Sequence, residues 1–215
     1  MTQRRGTIVL DPGHGGTVKV GGSSPNNATS PSGVLEKNIT LQMAFLTRDA
    51  VQRRAQAEGH DVRIVLTRES DVNLGLAQRA QVAQAHGANL FLSIHCNASD
   101  GHNARGVETL VRPTAADNPN HADDAAFATT IQNAVFMTIK KADPATKNRG
   151  VKEQQLGVLR DHDLGPNVRA CLVELEFIDI PAVDALLNVG PAHGKTRAEI
   201  ADALAGALIE SLPVA

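Results

Sequence analysis

Apolar positions along the chain follow two rhythms. Short runs in which almost every residue is apolar or β-branched occur at residues 7–10, 62–66, 90–95, 107–111 and 170–175. Such unbroken runs predict strands covered on both faces. A weaker run lies at residues 157–160. Between these runs apolar residues recur at helical spacing. Over residues 38–57, Ile39, Met43, Leu46 and Ala50 fall 4, 3 and 4 positions apart and make one stripe, with Gly59 as the stop. Further helices are predicted over 76–86, ended by Gly87, and over 123–141, with Asp123 and Asp124 at the N-terminal end where the helix dipole favours them. A helix over 181–187 begins with Pro181, and one over 196–211 turns Ile200, Leu204, Ala207 and Leu208 inward. Strands alternating with helices predict an α/β fold.

Length and composition narrow the picture. With 215 residues the chain suffices for one domain with a sizeable core, so residues 1–215 are expected to form a single domain. The net charge of -2 offers no pull toward nucleic acid or anionic membranes, and no apolar run approaches the roughly 18 residues of a membrane span. The N-terminus carries two arginines but no apolar stretch of secretory-leader length. Either the protein works without a leader or the leader lies outside this chain. Cys96 and Cys171 form no CxxC pattern and sit in apolar runs, which predicts buried thiols, with a disulfide as the alternative. There is no Trp, no Tyr and only 5 Phe, so a sugar-stacking groove is not expected and a peptide is the better guess for what the protein grips. No spare apolar stripe is left over, which makes a monomer the default expectation.

The chemistry gathers where strands end. The first strand runs into Asp11-Pro12-Gly13-His14-Gly15-Gly16, the third into Ser93-Ile94-His95-Cys96-Asn97, and the last carries Val173-Glu174-Leu175-Glu176-Phe177. Ligands of parallel α/β sheets bind at the carboxyl ends of strands, so His14, His95 and Glu174 should converge, with Glu36 joining them from the start of the following helix. Each has a plainer reading. His14 could fill a turn whose glycines merely shape the backbone, and His95 could be a core histidine. Glu36 could be a helix-start carboxylate, and Glu174 a partnered structural acid. A long segment, residues 15–35, is rich in Gly, Ser, Asn and Pro and reads as either a functional or a disordered loop. Taken together, two His and one Glu make a known catalytic zinc set with one open position, and a further carboxylate would serve as general base.

The strings LDPGHGG, Glu36-Lys37-Asn38, LTRESD, SIHCNA, RGVETL, NRGVK, GVLR and VELEF occur in this order and span most of the chain. They resemble the motifs of the zinc-dependent N-acetylmuramoyl-L-alanine amidases of the amidase-3 type. The resemblance implies a mixed, mostly parallel twisted sheet of about six strands between helices. It implies that His14, Glu36 and His95 bind Zn2+, and that Glu174 is the catalytic carboxylate. The implied substrate is the amide joining N-acetylmuramic acid to L-alanine in bacterial peptidoglycan, cut either by a secreted enzyme or by a leaderless phage-type lysin. Two other readings remain: another zinc amidohydrolase or peptidase on the same scaffold, and a non-catalytic wall-binding relative.

The chain departs from the family pattern at Glu176 and Ile180, where Gly and Asn are usual. Two carboxylates two residues apart share one side of a strand, so Glu176 is expected to compete with Glu174 for the metal or to raise its pKa. Arg149 could grip a carboxylate of the peptide stem or be a solvated loop residue. Asp11 is either a turn residue or a support for His14. His60, His86, His102, His121, His162 and His193 are expected at the surface. Some relatives insert a helix that blocks the metal; the corresponding stretch here, residues 113–121, is short, so activity without an activator is expected.

Overall fold

In the computed structural model, which describes residues 2–215, the apolar runs become strands of one six-stranded sheet. The strands are β1 (Arg5–Pro12), β2 (Asp61–Leu66), β3 (Leu90–Asn97), β4 (Val107–Val111), β5 (Asn148–Glu153) and β6 (Arg169–Phe177), ordered β2-β1-β3-β6-β4-β5. Pairing is parallel from β2 through β1 and β3 to β6, and β4 runs antiparallel to β6 while β5 runs parallel to β4. The start of β4 therefore lies at the same sheet edge as the ends of β1, β3 and β6. The expected mixed, mostly parallel α/β sheet between helices is what the chain forms.

Strand side chains alternate between two buried layers, as period 2 requires. Ile8, Leu10, Leu90, Leu92, Ile94, Cys171 and Val173 pack under the helices α1 (Glu36–Glu58), α3 (His121–Ala142) and α6 (His193–Ser211). Val9, Phe91, Ala170 and Leu172 face the other way, against α2 (Leu76–Ala85), α4 (Asp161–Leu164) and the turn at Gly157–Leu159. Burial on both faces explains why these strands read as continuous apolar runs. The stripe on α1 also holds, with Ile39, Met43 and Ala50 fully buried, and Gly59 ends that helix in the left-handed conformation.

Two elements differ from expectation. Residues 157–159 form a 3-10 turn rather than a strand, and the sixth strand is Asn148–Glu153. The turn is apolar because Val158 and Leu159 cap the sheet face. The strand is polar because it lies at an edge. The helix predicted over 181–187 is a short α5 (Pro181–Asp184) that widens into a π-turn at Ala185–Val189. His60 is also a correction. Its side chain is only 4% exposed, because Nδ1 accepts the Arg4 N–H and Nε2 meets Glu58. Both cysteines are free and buried. Residues 113–121 hold one short 3-10 turn, Thr114–Ala116, before α3 begins. Among the described residues no helix is long and apolar enough to cross a membrane.

Candidate metal centre and active site

The loop after β1 sets the first ligand candidate. His14 adopts φ 62°, a left-handed conformation uncommon outside glycine, and two buried arginines hold it there. Arg68 donates to Pro12 O and Gly13 O, and Arg79 donates to Pro12 O and His14 O, so each carbonyl of residues 12–14 is bound by a guanidinium. Gly13 is needed for another reason. A Cβ there would stand 2.2 Å from Cε1 of His95 and would push that ring away from its place beside His14. Their rings lie edge to face with centroids 4.8 Å apart.

The long loop anticipated between residues 15 and 35 is ordered and forms one wall of the site. Ser24 contributes its carbonyl at 3.0 Å and its hydroxyl at 3.1 Å from His14 Nδ1, which orients the ring and turns Nε2 inward. Ala28 N–H donates to Glu36 Oε2, while Cys96 N–H and His95 Nδ1 meet Glu36 Oε1 at 3.1 and 3.0 Å. His14 Nε2 sits 3.2 Å from Glu36 Oε2 yet has no hydrogen-bond partner. One ligand atom from each of His14, Glu36 and His95 lies within 4.8 Å of the others, and among the described residues this is the group of three that could hold a metal ion. A buried imidazole nitrogen left without a partner is costly, and a cation held between these three side chains would complete it. Burial pushes the Glu36 carboxyl up, but the close approach of the His14 and His95 rings reverses this and holds it well below the usual range.

Glu174 pairs in register with His95 on β3 and with Glu108 on β4. It lines a cavity of about 610 Å³ together with Glu36, His95, Asn97 and Asp179. Its Oε2 is buried without a partner, and burial, followed by the charges of Glu36 and Glu108, pushes its pKa well above the ordinary carboxylate value. A smaller cavity of about 170 Å³ opens on the other side of the two histidines, lined by Leu76, Leu156, Val158 and Leu172.

Glu176 does not compete for this place. It is fully buried and spoken for, with Arg105 Nε at 3.1 Å on Oε1, Thr146 Oγ1 at 2.7 Å, and the Gly106 N–H at 2.7 Å on Oε2. Only Glu36 and Glu108 act as charges on Glu174. The strand pairing is irregular between His95 and Asn97, opposite Glu174 and Phe177, and simple alternation does not carry across that irregularity. Asp11 does not touch the His14 ring either. It takes Arg79 at 2.8 Å, Thr67 at 2.6 Å and Ser93 at 2.7 Å, and so fixes the arginine that fixes the loop. Arg149 is paired with Glu108 at 2.5 Å and lies over the Phe177 ring at 5.0 Å. Sequence reasoning missed Glu108, Arg68, Arg79 and Ser24. The Arg within LTRESD was the one available signal for Arg68.

The comparisons with known proteins agree with this geometry. Residues 8–207 match the family model of the N-acetylmuramoyl-L-alanine amidases of the amidase-3 type. The chain is 33% identical over 202 residues to the endolysin of Bacillus phage SPP1, covering 90% of this chain and 65% of that protein. It is 27% identical over 229 residues to the amidase AmiA of Escherichia coli K12, covering 91% of this chain and 73% of that protein. Against the N-acetylmuramoyl-L-alanine amidase of Clostridium difficile 630 the TM-score is 0.76 at 25% identity, with 97% of each chain covered. The chain spans only 56% of the Bacillus licheniformis amidase CwlM. With the match running from β1 through α6, the chain belongs to the amidase-3 family of N-acetylmuramoyl-L-alanine amidases.

Proposed function

We propose that residues 1–215 act as one catalytic domain that hydrolyses the amide between the lactyl group of N-acetylmuramic acid and L-alanine in peptidoglycan. His14, Glu36 and His95 hold a Zn2+, and Glu174 carries the proton. The observation that supports this most is the meeting of His14, Glu36 and His95 from distant parts of the chain, with His14 Nε2 and Glu174 Oε2 both buried and unpartnered. Two imidazoles and a carboxylate are a known catalytic zinc set that leaves one position open. Bound there, Zn2+ supplies Lewis-acid activation of the scissile carbonyl and of the attacking water.

The chain's own residues do the rest. Glu174 takes a proton from the attacking water and returns it to the departing alanine nitrogen, a task suited to a carboxyl whose pKa is raised above the ordinary carboxylate value. Ser24 fixes the tautomer of His14, and Glu36 fixes the plane of His95. Asp11 contributes through Arg79 by holding the His14 loop. Arg149, partly exposed beside Phe177 and already balanced by Glu108, is placed to meet a carboxylate of the stem peptide. The protein works on the cell wall, as a monomer and without an activating partner.

The test is metal analysis and product analysis on the wild type and Glu174→Gln. The wild type should carry about one zinc and release new L-alanine amino groups from an intact glycan. Glu174→Gln should keep the zinc and lose about 1000-fold or more in turnover, within the range for a general acid–base. Cuts inside the stem peptide would instead indicate a zinc peptidase, and a Glu174→Gln variant near wild-type rate would overturn the role given to that residue.

A further inference from the structure

Asp179 follows the end of β6, where the wall of the large cavity continues away from Glu174. It is 7% exposed, yet only half of its carboxylate is used. Oδ2 accepts the Ser99 N–H at 3.2 Å and meets His102 Nδ1 at 2.9 Å, whereas Oδ1 is buried with no partner. The Ser99 hydroxyl beside it is likewise buried and unpartnered. Asp100 lines the same cavity, and no Lys or Arg does. A metal bound near Glu36 would offset the carboxylates at that end, whereas at the far end the one basic group beside Asp100 and Asp179 in the cavity wall is His102, which meets Asp179 Oδ2 and leaves Oδ1 free. Among the described residues no group of three metal-ligating side chains forms there. An aspartate serving only its turn would have no reason to leave one oxygen dry.

We propose that Asp179, with Ser99 beside it, is a subsite for a primary ammonium group on the substrate. Resting on the reading of the site as an amidase, the geometry names which ammonium. From Glu174 to Phe177 is three strand residues, roughly 10 Å at about 3.3 Å each, and Asp179 lies just past the turn. An extended peptide covers about 3.3–3.6 Å per residue. A stem peptide whose amide to muramic acid sits at Glu174, and which follows the cavity wall toward Asp179, would bring a side-chain amine of its third residue within reach there, the γ-linked second residue and the side chain itself supplying any further span. The substrate class is a stem whose third residue is a diamino acid with its side-chain amine free and protonated.

The experiment measures binding and cleavage separately. The zinc-loaded protein is titrated calorimetrically with L-Ala-γ-D-Glu-L-Lys, with its Nε-acetylated form, which loses the charge, and with its Nε-dimethylated form, which keeps charge and adds bulk. Muramoyl versions of the three are used for kcat/KM. The wild type should bind the free and dimethylated peptides about tenfold more tightly than the acetylated one. Asp179→Asn, and Asp179→Ser as a second variant that removes the carboxylate altogether, should bring that ratio close to one. Equal affinities in the wild type, no measurable binding of the free-amine peptide, or a ratio that survives in both variants would overturn the subsite. Equal kcat/KM on all three muramoyl substrates would also overturn it while leaving the amidase reading intact. A charge preference lost in the variants, without cleavage of any muramoyl substrate, would keep the subsite and refute the amidase.

Discussion

Asp11 and Glu174 stand at the same edge of the sheet, separated by β3; Asp11 is buried, and Glu174 is half-buried with one carboxylate oxygen sealed from solvent. Asp11 is met by Arg79, Thr67 and Ser93, and although burial works against its charge, these partners hold its pKa below the ordinary value. Glu174 has Glu36 and Glu108 for electrostatic neighbours and an oxygen with no partner at all. The first region spends its charges on rigidity: two guanidiniums clamp a three-residue loop whose only unusual backbone angle belongs to His14. The second keeps its polar atoms unsatisfied, where a cation and a substrate can complete them. Buried charge by itself therefore says little about function. What separates frame from workplace is whether the hydrogen-bonding inventory closes within the chain.

That contrast can be broken from either side. His14→Ala should have the largest effect, with zinc undetectable by metal analysis and turnover down by about 1000-fold or more, in keeping with a metal that supplies the Lewis acid. The fold should stay intact by circular dichroism; retained zinc would show that the unpartnered nitrogen is not a ligand. Arg79→Met should act on the frame instead. It strands Asp11 in the interior and should cost about 3–5 kcal/mol in denaturant unfolding, the range for breaking a buried pair. A loss under about 1 kcal/mol would mean that the loop is not held by this pair.

Asp124 is an intermediate case that sharpens the comparison. It accepts from Ala170 N–H and Asn118 Nδ2, yet burial pushes its pKa up to about 6. The native state then holds a proton between about pH 4 and 6 that the unfolded chain releases, so this group's contribution to stability falls as pH rises through that window. Asp124→Asn should remove the slope, gaining about 1–3 kcal/mol relative to the wild type between pH 4 and 6.5. Parallel stability curves for the two proteins would contradict the assignment. Gly13→Ala should have the smallest effect. Its methyl group would push the His95 ring, weakening zinc about 10-fold with little change in melting temperature, as competition with a chelator would report.

Much of this was legible in the sequence because burial writes plainly. β1, β3, β4 and β6 are covered on both faces and stand out as apolar runs. β5 did not, because at the sheet edge Asn148–Glu153 holds Val151 as its one large apolar residue, while the equally short Val158-Leu159 pair looked strand-like although it caps a face. The meeting of His14, Glu36 and His95 was legible because each stands at or near the end of a regular element. The partners of Glu176 were not. Arg105, Thr146 and Gly106 lie 71, 30 and 70 residues away, and no local pattern announces a contact of that range. The same holds for Glu108, whose place opposite Glu174 follows only from the reversed direction of β4.

The sheet ends in two open edges, and both are studded with charge. On β2, Asp61 and Arg63 face solvent, and on β5, Lys152 and Glu153 do. Unpaired backbone there could in principle recruit a strand from another copy, but joining two such borders would force ionic side chains together and strip their hydration. Wherever copies of this chain meet at high local density, these borders let them crowd without stitching themselves into fibres.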